Sequence, residues 1–373
     1  MERNWRTKLR NGFILAIAIS AIIGVTLLTS DFHWISDNTT IVEPSGVPSS
    51  GQVASLTGTP GNKIDKLAVR RPMSNLNATK EAVNVYNYLC DLYGNGILAG
   101  QQESTWINNN PEDEMEYIMD KTGKLPAIRG LDYINEDFDG VTSRTTAWWE
   151  KGGIPSICWH WGAPTLGVGY EASKLTIDVA DALKDGTPLN IAMIKDMDRV
   201  AEELKKLQEA KVPVLWRPFH ELNGNWFWWS KSGPEVFKEL WIFMYDRYTN
   251  YHGLNNLVWV FGYTSSVDPE WYPGDEYVDI AACDAYEKSI LSNSFYSLQD
   301  MVGTDMPLAY HECGPIPNPD NMIKEKVSWT WFLTWHTIHI KEQNDARDLS
   351  YIYNHDYVIT LDELPDLKAY DLD

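Results

Sequence analysis

The sequence predicts an α/β protein built as a (β/α)8 TIM barrel, on three observations. Short apolar runs that read as strands recur eight times, helix-period segments separate most of them, and no turn signal joins two runs into a hairpin. Alternation of this kind implies parallel strands joined by crossover helices. The roughly 300 residues beyond the N-terminal region suit a closed eight-unit barrel. An open doubly wound sheet is the competing architecture, but no glycine-rich phosphate loop follows the first strand.

The elements begin near residue 75. Ala82, Tyr86, Leu89 and Tyr93 recur at helical spacing. The run from Gly96 to Gln102 reads as the first strand. Asn110-Pro111-Glu112 supplies a cap, a first-turn proline and an acidic first turn, and predicts a helix start. Strands at Pro126–Asp132 and Ile154–His160 follow. Ile194, Met197, Val200, Ala201, Leu204 and Leu207 form an amphipathic stripe that leads into a fourth strand, Val212–Arg217. A helix over 234–249 precedes the strand Leu257–Phe261, and runs at Val278–Asp284, Pro307–Tyr310 and Trp331–Trp335 complete the eight.

The first 70 residues read differently. Arg3, Arg6, Lys8 and Arg10 precede an apolar run from Phe13 to Leu28, the pattern of an export element. Residues 1–30 are therefore expected to be a signal peptide or a retained membrane anchor, which contacts or spans a membrane and places the rest outside the cytoplasm, secreted or tethered. Residues 31–70 are rich in Ser, Thr, Gly and Pro without apolar periodicity, and predict a flexible linker. Residues 71–373 are the expected barrel. A net charge of -21 repels nucleic acid and anionic lipid and favours a neutral substrate. A monomer is expected. Cys90, Cys158, Cys283 and Cys313 show no C-x-x-C spacing and read as buried, unpaired residues.

Chemistry gathers at the predicted strand ends. The segment from Trp216 to Trp229 holds four tryptophans, Arg217, His220 and Glu221, and a second His-Glu pair, His311-Glu312, follows the seventh strand. Flat aromatic faces stack on the C–H faces of sugars, and two carboxylates flanking a bond are what glycoside hydrolysis requires. Active sites of barrels of this kind lie at the carboxyl ends of the strands, where Gln101, Gln102, Asp132, His160, Asp284 and His336 also fall. Alternation puts Arg217 and Glu221 on one face, so Arg217 is expected to lie below Glu221 and orient carboxylates from beneath. His220 and Glu221 can share the pocket only if the strand has ended or bulged. Neither His-Glu pair extends to H-E-x-x-H and no G-x-S-x-G elbow occurs, which speaks against a zinc or serine hydrolase.

These residues resemble glycoside hydrolase family 26, best known for β-mannanases. The likeness rests on Arg217-Pro-Phe-His-Glu-Leu-Asn-Gly-Asn-Trp-Phe-Trp-Trp229, Trp159-His-Trp161, Trp271-Tyr-Pro-Gly274, Asp284-Ala-Tyr286, His311-Glu-Cys-Gly314 and Val358–Pro365. It implies a retaining enzyme with Glu221 as acid/base and Glu312 as nucleophile, acting on β-mannan without cofactor or metal. It also implies that His160, Arg217, His220, Trp226, Tyr286 and Trp335 surround the sugar at the cleavage point. The family's β-1,3-1,4-glucanases and β-1,3-xylanases are the alternative activities, and a non-catalytic glycan-binding barrel is the alternative from another class. Two positions depart from the family pattern: His336 stands where Arg is common, and Ser230 where Gly is common.

Overall fold

The computed structural model describes residues 70–370 except 108. The predicted export element and nearly all of the predicted linker lie outside the described residues. Eight parallel strands form the centre: β1 (Ile97–Gln102), β2 (Ile128–Asp132), β3 (Ile154–Cys158), β4 (Val214–Arg217), β5 (Leu257–Thr264), β6 (Ile280–Ala285), β7 (Leu308–Cys313) and β8 (Trp331–Thr334). Each pairs with the next in sequence, and β8 pairs with β1, which closes the sheet. This is the expected (β/α)8 barrel. Because its strands are covered on both faces, they read as continuous apolar runs rather than alternating ones.

The connecting helices form where the sequence places caps and apolar stripes. The helix Pro188–Glu209 starts with Pro188 at a first-turn position, and the Thr187 hydroxyl accepts from the Asn190 N–H. It buries Met193, Met197, Val200, Ala201, Leu204 and Leu207 against the barrel. The helix Lys80–Leu92 is capped by Thr79 and likewise buries Ala82, Tyr86 and Leu89.

Local differences have local causes. Asn110 does not open a helix: its side-chain oxygen accepts from the Glu112 N–H, forming a turn, and the helix begins at Asp113. The helix expected over 234–249 is α-helical only for Pro234–Tyr245 and widens into a π-helical segment, Asp246–Tyr251. A ninth strand, β9 (Val358–Ile359), pairs with Ile97 and Leu98 of β1, where the sequence analysis expected none. The four cysteines are buried and free, as expected. Arg70 pairs with buried Asp91, and Arg71 with Asp275 and Asp305.

Candidate active site

The site forms where three non-glycine residues adopt left-handed backbone. Strand β4 ends at Arg217, Pro218 supplies no N–H to continue the ladder, and Phe219 and Glu221 both have φ of 51°. In β7, Glu312 has φ of 79°, and the register against β8 shifts between His311 and Cys313. Such conformations cost roughly 1–3 kcal/mol each and persist only where the surroundings enforce them. Here they turn both glutamates into one cleft. One carboxylate oxygen each from Glu221, Asp284 and Glu312 lie within 4.8 Å of one another.

Arg217 sits beneath the cleft, fully buried. Its guanidinium donates to Glu312 Oε1 at 2.7 Å and closely to Asp284 Oδ2. Gly262 leaves room for it, since a Cβ there would lie 3.2 Å from Arg217 Nε. The expectation that Arg217 lies under Glu221 is corrected. Strand parity stops applying at Phe219, and Arg217 grips the other glutamate. Glu221 is held instead by Trp226, whose indole N–H donates to Oε2 at 2.6 Å. Tyr286 donates its hydroxyl to Glu312 Oε2 at 2.6 Å. Burial first, and then Glu312, raise the Tyr286 hydroxyl well above its ordinary range, so it stays a donor.

The two glutamates thus have different surroundings. Glu312 accepts hydrogen bonds from a guanidinium and a phenol. Glu221 has one indole donor, and its carboxyl is raised to about 7, first by burial and second by the charge of Glu312. Separated environments for two nearby carboxyls are how an acid and a nucleophile coexist at neutral pH.

A hydrogen-bonded chain runs along the opposite wall. Asp132, at the end of β2, accepts from the His160 backbone N–H at 3.0 Å and bonds His160 Nδ1 at 2.5 Å. His160 Nε2 lies 3.0 Å from His220 Nε2, which in turn is 3.9 Å from Glu312 Oε1. Burial works against a proton on His160, but Asp132, with Glu312 and Glu221 beyond it, raises it overall. His220 is pushed well below its usual range by burial, then by His160, Arg217 and His311. The proton therefore favours His160, which donates to His220. Fully buried, His220 lies behind His160 rather than on the cleft wall, because the chain has already turned out of β4.

The cleft encloses about 600 Å³. Trp335 and Tyr286 line it with His160, and Trp226 stands exposed beside Glu221. Trp228 and Trp229 instead pack the rim, fully buried, with indole N–H groups on the Trp161 and His220 carbonyls at 2.8 and 3.0 Å. Sequence reasoning missed Trp106, Asn135, Tyr170, Phe227 and His339 on the cleft walls. A lone tryptophan in the polar run Ser104–Asn110 was the one available signal. Gln101 serves the frame, donating to the Trp335 carbonyl at 3.2 Å. Among the described residues, two sets of side chains bring metal-ligand atoms together, Glu221/Asp284/Glu312 and Asp132/Cys158/His160. In the first, the Arg217 guanidinium already provides the positive charge to Asp284 and Glu312. In the second, Asp132 is committed to His160.

Residues 74–363 match the family model for glycosyl hydrolase family 26. A mannan endo-1,4-beta-mannosidase from Thermothelomyces thermophilus is 36% identical over 334 residues, covering 84% of this chain and 67% of that protein. Mannan endo-1,4-beta-mannosidase A from Piromyces sp is 33% identical, covering 79% of this chain, which spans only 51% of the relative. Among solved structures, a ruminal GH26 endo-beta-1,4-mannanase superposes with a TM-score of 0.75 at 35% identity, covering 81% of this chain and 71% of that one. A Podospora anserina GH26-CBM35 beta-(1,4)-mannanase gives 0.72 at 34% identity, covering 84% and 72%.

Proposed function

The chain belongs to glycosyl hydrolase family 26, and from that premise we propose that it is an endo-acting β-1,4-mannanase that retains anomeric configuration. Glu221 is its acid/base and Glu312 its nucleophile. The observation that carries this reading is the approach of their carboxylate oxygens to within 4.8 Å. Retaining glycosidases hold their carboxyls about 5–5.5 Å apart, whereas inverting ones leave roughly 6.5–9.5 Å for a water.

In the first step Glu312, aimed by Arg217 and Tyr286, attacks the anomeric carbon. Glu221 gives its proton to the departing glycosidic oxygen. In the second step Glu221, now ionised, takes a proton from water, which displaces Glu312 from the sugar. Burial keeps a proton on Glu221 near neutrality, as the first step needs. The two curated relatives described above are mannan endo-1,4-beta-mannosidases by name, and that likeness supports mannan over mixed-linkage glucan or xylan. The His160 ring lines the cleft with both nitrogens engaged, Nδ1 by Asp132 and Nε2 by His220, so it offers the sugar a rigid ring edge and no hydrogen bond of its own. The N-terminal export element and linker belong to this proposal too, as the route by which the barrel reaches an extracellular polysaccharide.

Two measurements test the reading. Glu312→Ala should abolish turnover of every substrate. Glu221→Ala should keep the first step on aryl glycosides with good leaving groups and regain turnover with azide. Equal loss in both variants without azide rescue would overturn the roles. Separately, kcat/KM on unbranched mannan should exceed that on mixed-linkage β-glucan, and the reverse order would remove mannan as the substrate.

A further inference from the structure

Two donors hold Glu312, and they are fixed in different ways. Arg217 is fully buried, so close packing keeps its guanidinium in place. Tyr286 follows β6 and lines the open cleft. Its hydroxyl must stay 2.6 Å from Glu312 Oε2 while its ring borders space rather than packed core. That ring needs a support the barrel interior does not give.

His339 meets this need. Its ring lies against the Tyr286 ring, 4.8 Å between centroids with a 52° tilt, and among the described residues no other ring touches Tyr286. His339 belongs to the short helix Ile338–Lys341, after β8, and lines the cleft. It is itself held. Nδ1 bonds Gln343 Oε1 at 3.0 Å, which fixes the rotation of the imidazole. Asn344 Nδ2 donates to the His339 carbonyl at 2.7 Å and to the Gly314 carbonyl at 2.9 Å, and Asn344 Oδ1 accepts from the Ile316 N–H at 2.9 Å. Gly314 stands two residues beyond Glu312, and a Cβ there would lie 2.2 Å from Gln343 Oε1. Gln343 and Asn344 therefore bracket His339 to the same stretch of chain that carries Glu312. The other cleft histidines are occupied elsewhere: His160 between Asp132 and His220, and His336 beside Thr337 and Trp335.

We propose that His339 is a positioning residue for the nucleophile. It props the Tyr286 ring so that the phenol stays on Glu312 as the anomeric carbon is attacked, and it acts through that phenol rather than on the sugar. This inference rests on the reading of Glu312 as nucleophile. Small losses of aim at a reacting group are costly, so a loosened prop should slow the reaction without weakening substrate binding.

The test is a double-mutant cycle between His339→Ala and Tyr286→Phe, measured on the 2,4-dinitrophenyl glycoside that the wild type turns over fastest, manno- or gluco-configured. Asn344 binds the main-chain carbonyl of residue 339, which alanine retains, so the bracket survives the substitution. Losing a hydrogen bond to a charged group costs on the order of 10–100-fold, and Tyr286→Phe should lower kcat/KM by about that much. His339→Ala only loosens the bond and should lower kcat and kcat/KM alike, by about tenfold, with KM little changed. In the Tyr286→Phe background, His339→Ala should cost less than about twofold, because no hydroxyl remains to aim. His339→Phe keeps a flat ring and should retain most of the wild-type rate. A tenfold loss that persists in the Tyr286→Phe background, or one confined to KM, would make His339 a sugar contact or a structural prop and overturn the assignment. Unchanged kcat in His339→Ala, or His339→Phe as slow as His339→Ala, would overturn it too. Glu312→Ala run alongside separates the two readings: if it is inactive and the cycle is additive, the nucleophile stands and only the role of His339 falls.

Discussion

Removing the charge of Glu312 separates two causes of the high proton affinity of Glu221. The Glu221 carboxyl is raised from 4.5 to about 7, with burial the larger cause and Glu312 the second. Two unit charges at the 4.8 Å that bounds these oxygens repel by roughly 3 kcal/mol at an effective dielectric of 20, enough alone to produce the whole rise. That full repulsion is not felt, because Arg217 at 2.7 Å and Tyr286 at 2.6 Å disperse the Glu312 charge. Glu312 then accounts for less than half of the effect. Glu312→Gln should bring Glu221 down to about 6 and no further. The assay is a 13C NMR titration of side-chain-labelled glutamate, with the Glu221 signal identified by its loss in Glu221→Gln. The same step occurs in turnover, when Glu312 becomes an ester. At pH 7 about half of the Glu221 groups hold a proton beforehand and roughly nine in ten are ionised afterwards, which fits acid in one step and base in the next. Titration near 5 in the variant would make charge, not burial, the main cause. Titration unchanged near 7 would mean the two carboxyls do not sense each other, and the paired mechanism would fail.

Three further outcomes follow from the same geometry. The Trp226 hydrogen bond stabilises ionised Glu221, so Trp226→Phe should move the alkaline limb of kcat/KM to higher pH, from near 7 in the wild type; a shift downward would contradict the role given to the indole. A carboxyl whose folded-state value lies above its unfolded one binds more protons when folded, so its contribution to stability falls as pH rises from 4.5 through about 7; Glu221→Gln should raise Tm by about 5 °C at pH 8 and by little at pH 4, as calorimetry would show. A chain starting at residue 70 should fold and act fully, whereas one starting at residue 73 loses the Arg70–Asp91 pair and the Arg71 contacts with Asp275 and Asp305; its Tm should drop by several degrees, on the order of 1–3 kcal/mol for a buried acid stripped of its cation.

The barrel was legible because parallel strands buried on both faces leave unbroken apolar runs, and all eight were found within a few residues of their ends. Val358–Ile359 escaped because two residues carry no period. Glu221 and Glu312 were legible because each follows such a run with histidine before it and aromatics about it. What could not be read was which group holds which. Alternation put Arg217 under Glu221, yet it binds Glu312 and Asp284, and His220 was expected beside the sugar but lies behind His160. Both errors begin where the backbone leaves the extended region, at Phe219, Glu221 and Glu312. No residue type announces that departure, since a left-handed phenylalanine or glutamate is disfavoured everywhere and is held here by contacts from other strands. Trp106 was missed for a related reason, because a cleft wall made from loops after β8, β1 and β2 has no local period, and its one signal was a lone tryptophan in Ser104–Asn110. Sequence rules that rest on regular geometry thus place the scaffold and fail at the strand ends. There the irregular backbone brings two carboxylates within 4.8 Å of each other, a spacing that alternating positions along the strands would not have provided.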